Sequence, residues 1–114
     1  MQLKGGGATN VKETSGIELL RAMKDGKIPY SPIADTVPMR IADLENGSLR
    51  FVVKADNRHT NPLGGVHGGF ASTMLDSVMG CAIFAMLESG IGYTTIDLNI
   101  KMLRPIPFNV DLYA

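Results

Sequence analysis

Asn61, His67 and Asp76 are the side chains of this sequence whose types and spacing could do chemistry together. A carboxylate can act as general base or nucleophile, while a histidine and an amide hold substrate or water in place. Gly64, Gly65, Gly68 and Gly69 lie between them and let backbone approach a ligand closely. Residues 68–87 read as one long apolar helix in which Asp76 is the only charge. An ionised carboxylate buried there costs several kcal/mol unless it is paired, hydrogen-bonded or reached by water. The plain alternative is a half-exposed aspartate bonded to nearby backbone. If the helix starts near Gly68, its first N–H groups lack intrahelical partners and carry partial positive charge. Such a terminus can hold an oxyanion.

Helix geometry constrains this chemistry. Eight residues separate Gly68 from Asp76, which is about 12 Å at the rise of an α-helix. One substrate carbonyl cannot touch both ends of that span in a single subunit. If both act on one carbonyl, Asp76 must come from a second copy, and a two-fold dimer would hold two equivalent sites.

The surrounding sequence supplies the elements that position these groups. Residues 15–24 predict a short amphipathic helix, with Ser15 and Glu18 in a capping-box pattern and Asp25-Gly26 as the stop. Prolines at 29, 32 and 38 predict an extended or irregular connection. Residues 39–44 and 49–54 predict two strands joined across Asn46-Gly47 as a hairpin. Residues 95–103 alternate: Ile96, Leu98, Ile100 and Met102 on one face, Thr95, Asp97, Asn99 and Lys101 on the other. That predicts a half-buried strand. Arg104-Pro105-Ile106-Pro107 interrupts it, and Phe108, Val110 and Leu112 resume the alternation. The fold class is α+β, an antiparallel sheet with one long helix across it. Residues 1–14 read as a flexible N-terminal segment and residues 15–114 as one domain.

Composition narrows the function. Apolar residues are 45% of 114, enough for a core, and the formal net charge is zero. A balanced charge argues against a protein held to nucleic acid by phosphate neutralisation. The single cysteine, Cys81, excludes an internal disulfide and a cysteine-rich zinc site, and reads as a small core residue. The N-terminus has no apolar run and is no secretory signal. The apolar helix contains Asp76 and several small polar residues and reads as a core helix, not a membrane span. His59 has no partner in the pattern and reads as surface.

The run Asn61-Pro62-Leu63-Gly64-Gly65-Val66-His67-Gly68-Gly69, then Asp76, then Tyr93-Thr94-Thr95-Ile96-Asp97-Leu98-Asn99 and Leu103-Arg104-Pro105, resembles the hotdog-fold acyl-CoA thioesterases of the phenylacetate-pathway (PaaI) type. The resemblance covers roughly residue 15 to the end. It implies a long central helix wrapped by a curved antiparallel sheet, and hydrolysis of an acyl-CoA or related thioester to free acid and thiol. It implies Asp76 as general base or nucleophile and the Gly68 N–H as the group that polarises the thioester carbonyl. Asn61 and His67 would position thioester and water, and Thr95 would help hold the water. Gly69 and Arg104 would contact substrate, Arg104 near the CoA portion. No metal or cofactor is implied, CoA entering as part of the substrate. A required homodimer, pairing into a homotetramer, is expected in the cytoplasm, without nucleic-acid or membrane partners. The alternatives are an acyl-thioester dehydratase or isomerase of the same fold, or a non-catalytic module that binds acyl-CoA or protein. Against the family pattern, the sequence leads one to expect C-terminal strands missing after residue 114 or supplied elsewhere.

Overall fold

The computed structural model describes residues 14–114. The segment expected to be flexible, residues 1–14, lies outside the described residues apart from Thr14. Helix α1, Gly16–Lys24, buries Leu19, Leu20 and Met23 on one face. Ser15 occupies the cap position, but its hydroxyl donates to Glu18 Oε1 at 3.0 Å and caps no backbone N–H, so the expected capping box is not formed. Gly26 turns the chain at φ 76°.

The proline-rich connection is more ordered than expected. It contains a one-turn helix, α2, Ile33–Thr36, entered at Pro32 with φ −56°. Proline's fixed φ and missing donor suit a helix entry, so spacing that argued against a long helix still permitted a short one.

Strands β1, Met39–Glu45, and β2, Ser48–Val53, form the expected antiparallel hairpin. Glu45 faces Ser48 across the Asn46-Gly47 turn, where Gly47 takes φ 84°. The register shifts between Ile41 and Asp43, a bulge that twists the strand. On its other edge β2 pairs antiparallel with a short β3, Leu112–Tyr113. Paired amides of Phe51 and Ala114 extend that ladder at 2.8 and 3.0 Å.

Helix α3, Gly68–Phe84, lies across β2. Phe70, Met74, Val78, Cys81 and Phe84 form its buried face, packed with Leu19, Leu20, Met39, Ile41, Phe51 and Val53 in one core. The helix ends three residues before the expected Leu87. Met86 and Leu87 instead donate to the carbonyls three residues back, at 2.9 and 3.0 Å, the tightened last turn common at helix ends. Leu87 O then accepts the Gly16 N–H at 3.1 Å. The start of α1 crosses the end of α3 so closely that a Cβ on Gly16 would lie 1.7 Å from Phe84 O. Among the described residues, no helix is long and apolar enough to cross a membrane.

One expected strand is not formed. Residues 95–103 run without a ladder, and Ile96 is 96% exposed. Alternation marks a chain suited to a sheet but supplies no hydrogen-bond partner. Here β1 and β3 already occupy both edges of β2, and residues 95–103 meet no other ladder among the described residues.

Candidate active site

The loop before α3 is built on His59, expected at the surface but buried by the fold. A 3-10 turn, Asn57–His59, follows Asp56. His59 Nδ1 accepts the Asp56 N–H at 2.9 Å and Nε2–H donates to Thr36 O at 2.8 Å. Its ring lies 4.6 Å from that of Phe70. With Nδ1 accepting and Nε2–H donating, the ring ties α2 to the loop. The Asp56 carboxylate accepts from the backbone and side chain of Arg58. Those hydrogen bonds hold the Asp56 carboxyl well below the usual carboxylate range and raise Arg58. The Asp56–His59 spacing, with mutual bonds between cap residue and third residue, was the available sequence signal.

From there the loop turns twice. The His67 N–H donates to His59 O at 2.7 Å. Asn61 Oδ1 accepts from the Leu63 and Gly65 N–H groups at 2.9 and 3.1 Å, and the Asn61 N–H donates to Gly65 O at 2.8 Å. Asn61 thus closes the turn with its side-chain oxygen, and Gly64 supplies the left-handed conformation, φ 88°. His67 caps α3, its Nδ1 accepting the Gly69 N–H at 2.8 Å. The Gly68 N–H, one position earlier, makes no hydrogen bond among the described residues. It is therefore available to an incoming oxygen at the positive end of a 17-residue helix.

The glycines at this terminus are not equivalent. A Cβ on Gly68 would meet only Met102 Cε at 3.5 Å, whereas one on Gly69 would lie 2.9 Å from His67 Nδ1. Gly69→Ala is expected to displace the His67 cap and lower stability by about 1 kcal/mol, the value of a helix cap. Gly68→Ala is expected to match wild type in the same urea titration. Equal stability of both variants would remove His67 from the cap role.

Asp76 lies eight residues further along α3 and is half-buried. Thr95 Oγ1 donates to Asp76 Oδ1 at 2.9 Å. The Ser72 and Thr73 hydroxyls turn back to Gly68 O and Gly69 O at 3.1 and 2.8 Å. Thr95, on residues that make no strand, nevertheless meets the carboxylate.

Five of the expected site residues fall into two groups, while His67 and Gly69 at the helix cap line neither. Asn61, Gly68 and Arg104 line one open cavity of about 430 Å³. Asp76 and Thr95 line two others, of about 190 and 400 Å³, which share no residue with the first. Tyr93 accompanies Asp76 in both and was singled out by no chemical argument from sequence. Burial pushes the Tyr93 phenol up to about 12, with Cys81 and Asp76 nearby adding to it. Burial likewise pushes the Cys81 thiol up to about 11, the Tyr93 hydroxyl offsetting part of the rise. Both groups are neutral near pH 7, and Cys81 is no thiolate nucleophile there.

Residues 16–106 match the family described as Domain of unknown function (DUF4442). A crystal structure from Ralstonia eutropha JMP134, of a phenylacetic acid degradation-related protein provisionally assigned as a thioesterase, superposes with a TM-score of 0.69. It is 34% identical, over 75% of this chain and 67% of that one. Thioesterase superfamily member 2 from Mus musculus shares the fold at a TM-score of 0.59 and 20% identity, over 86% of this chain and 66% of that one. Human Acyl-coenzyme A thioesterase 13 is 30% identical over 66 residues, 58% of this chain and 46% of that protein. The mouse protein of the same name is 36% identical over 53 residues, 46% of this chain and 37% of that protein. The chain thus matches about half the length of the curated relatives or less. It belongs to the DUF4442 family, among the PaaI-type proteins of the hotdog-fold thioesterase superfamily.

Proposed function

We propose that the protein hydrolyses an acyl-CoA, or a related acyl thioester, at a site shared between two subunits. The observation that carries this reading is the Asp76–Thr95 pair, a half-buried carboxylate on an apolar helix held by a hydroxyl at 2.9 Å. Asp76 acts as general base on water or as the nucleophile itself, with Thr95 orienting it. The carbonyl oxygen accepts from the Gly68 N–H of the other subunit, where the developing negative charge meets the helix terminus. Asn61 and His67 hold the loop and position the thioester and water. Gly69 keeps the cap in place, and Arg104, exposed beside the same cavity, faces the CoA portion. The products are a free acid and CoA thiol, and the step needs no redox group or metal.

The division of the site between separate cavities supports a homodimer, as does the roughly 12 Å helix span from Gly68 to Asp76. So does an apolar surface on which Met79 and Ile83 of α3 border the same cavity as Ile96 and Leu98, exposed by 46, 56, 96 and 38%. Exposed apolar surface of this kind marks an interaction face. Pairing of dimers into a homotetramer and a cytoplasmic setting complete the reading. The test is thiol release from a panel of saturated acyl-CoAs. Hydrolysis releases one free thiol per acid formed, whereas a dehydratase or a binding module releases none, and no thiol from any member would refute the reading.

A further inference from the structure

We propose that Tyr93, seated on Gly80, sets the size of the acyl group this site accepts and limits it to a short chain of about six carbons. This rests on the hydrolytic reading only for where the acyl carbonyl sits, beside Asp76. Asp76 and Thr95 border two cavities, and Tyr93 lines the same two. The inner one, about 190 Å³, is lined on its deep side by the buried Met23, Met39, Phe51 and Cys81. The outer one, about 400 Å³, runs along Met79, Ile83 and Leu98.

The Tyr93 ring is held against α3 by its contacts with that helix. Tyr93 Cε2 and Oη lie 2.7 and 2.9 Å from the point a Cβ on Gly80 would occupy, so the ring rests directly on helix backbone. On the same helix the Phe84 ring is 5.8 Å from it, tilted by 45°. Any side chain at position 80 would push the ring into one of the two cavities. An acyl chain that starts at Asp76 and leaves water enters the inner cavity, where apolar burial favours it. A cavity of about 150 Å³ holds benzene, so one slightly larger fills at about six carbons. Longer chains must displace Tyr93.

The test uses S-alkyl-CoA thioethers of roughly four to fourteen carbons, which have no carbonyl to hydrolyse, with affinity read by calorimetry. Thiol release from the matching acyl-CoAs is measured in parallel. Affinity of the wild type is expected to peak near six carbons and to fall at least about tenfold by ten, since a methylene too many in a hydrophobic pocket costs about that much or more. Tyr93→Ala is expected to move the peak to ten carbons or beyond, while Tyr93→Phe, which keeps the ring, keeps the wild-type profile. Should Tyr93→Ala not fold, Tyr93→Leu must raise the ceiling instead. Equal wild-type affinity for six and twelve carbons, or a folded Tyr93→Ala or Tyr93→Leu with an unchanged ceiling, overturns the proposal, as does absence of binding at every length. A length ceiling in binding with no thiol release would refute hydrolysis and leave the size limit standing.

Discussion

Asp76→Asn is expected to lower thiol release by about two to four orders of magnitude or more, the loss typical when a positioned base or nucleophile is removed. The substitution is nearly isosteric, and an asparagine oxygen can still accept the 2.9 Å bond from Thr95 Oγ1. The half-buried position therefore keeps its packing and its hydrogen bond and loses only the charge and basicity. The position is only half-buried, so the new amide N–H groups reach solvent and urea titration should place the variant near wild-type stability. Thioether affinity should persist, because the cavities around residue 76 keep their shape. A variant that retains a substantial fraction of the wild-type rate would remove Asp76 from the chemistry. A variant that is inactive because it is unfolded would appear as a lost urea transition and not as lost turnover alone.

The parts of this fold that sequence made legible are those fixed by local rules. Asn46-Gly47 set the hairpin because a two-residue turn needs a residue that tolerates positive φ, and Gly47 adopts it. The apolar run after His67 set α3 and its first residue, because the chain before Gly68 is too glycine-rich to be helical and the chain after it is not. Asp76 stood out for the same reason, as the one carboxylate in seventeen otherwise uncharged helical residues.

What was not legible depended on partners distant in sequence. The alternation of residues 95–103 is a surface pattern, and whether it becomes a strand depends on which edge lies alongside it. His59 carries no mark of burial by itself. Its environment is made by Thr36 O and the Phe70 ring, 23 and 11 residues away in the chain. The place of Tyr93 beside Asp76 was not legible because it depends on a glycine thirteen positions earlier, whose missing side chain lets the ring rest on the helix. Helix α3 ends three residues short of Leu87, where the last turn tightens and Leu87 O accepts from Gly16, a tertiary contact that helix propensity cannot register.

Subunit exchange between two inactive variants is expected to restore activity. One variant is Asp76→Asn and the other carries Asn61→Ala with His67→Ala, which removes both the loop closure by Asn61 Oδ1 and the cap on Gly69 N–H. Each homodimer has two sites with the same defect. In a heterodimer whose sites each take the loop from one chain and the carboxylate from the other, one site collects both defects and the other collects neither. Activity should then return to about half the wild-type value per heterodimer, by the two-fold symmetry of the assembly. A site built within one chain gives the opposite outcome, because every site in every heterodimer keeps one defect and the mixture stays inactive. The separation of the loop cavity from both Asp76 cavities favours the first outcome. Exchange is verified by mass-tagging one variant and recovering mixed dimers. Recovered mixed dimers without thiol release would place the whole site in a single subunit and overturn the shared arrangement.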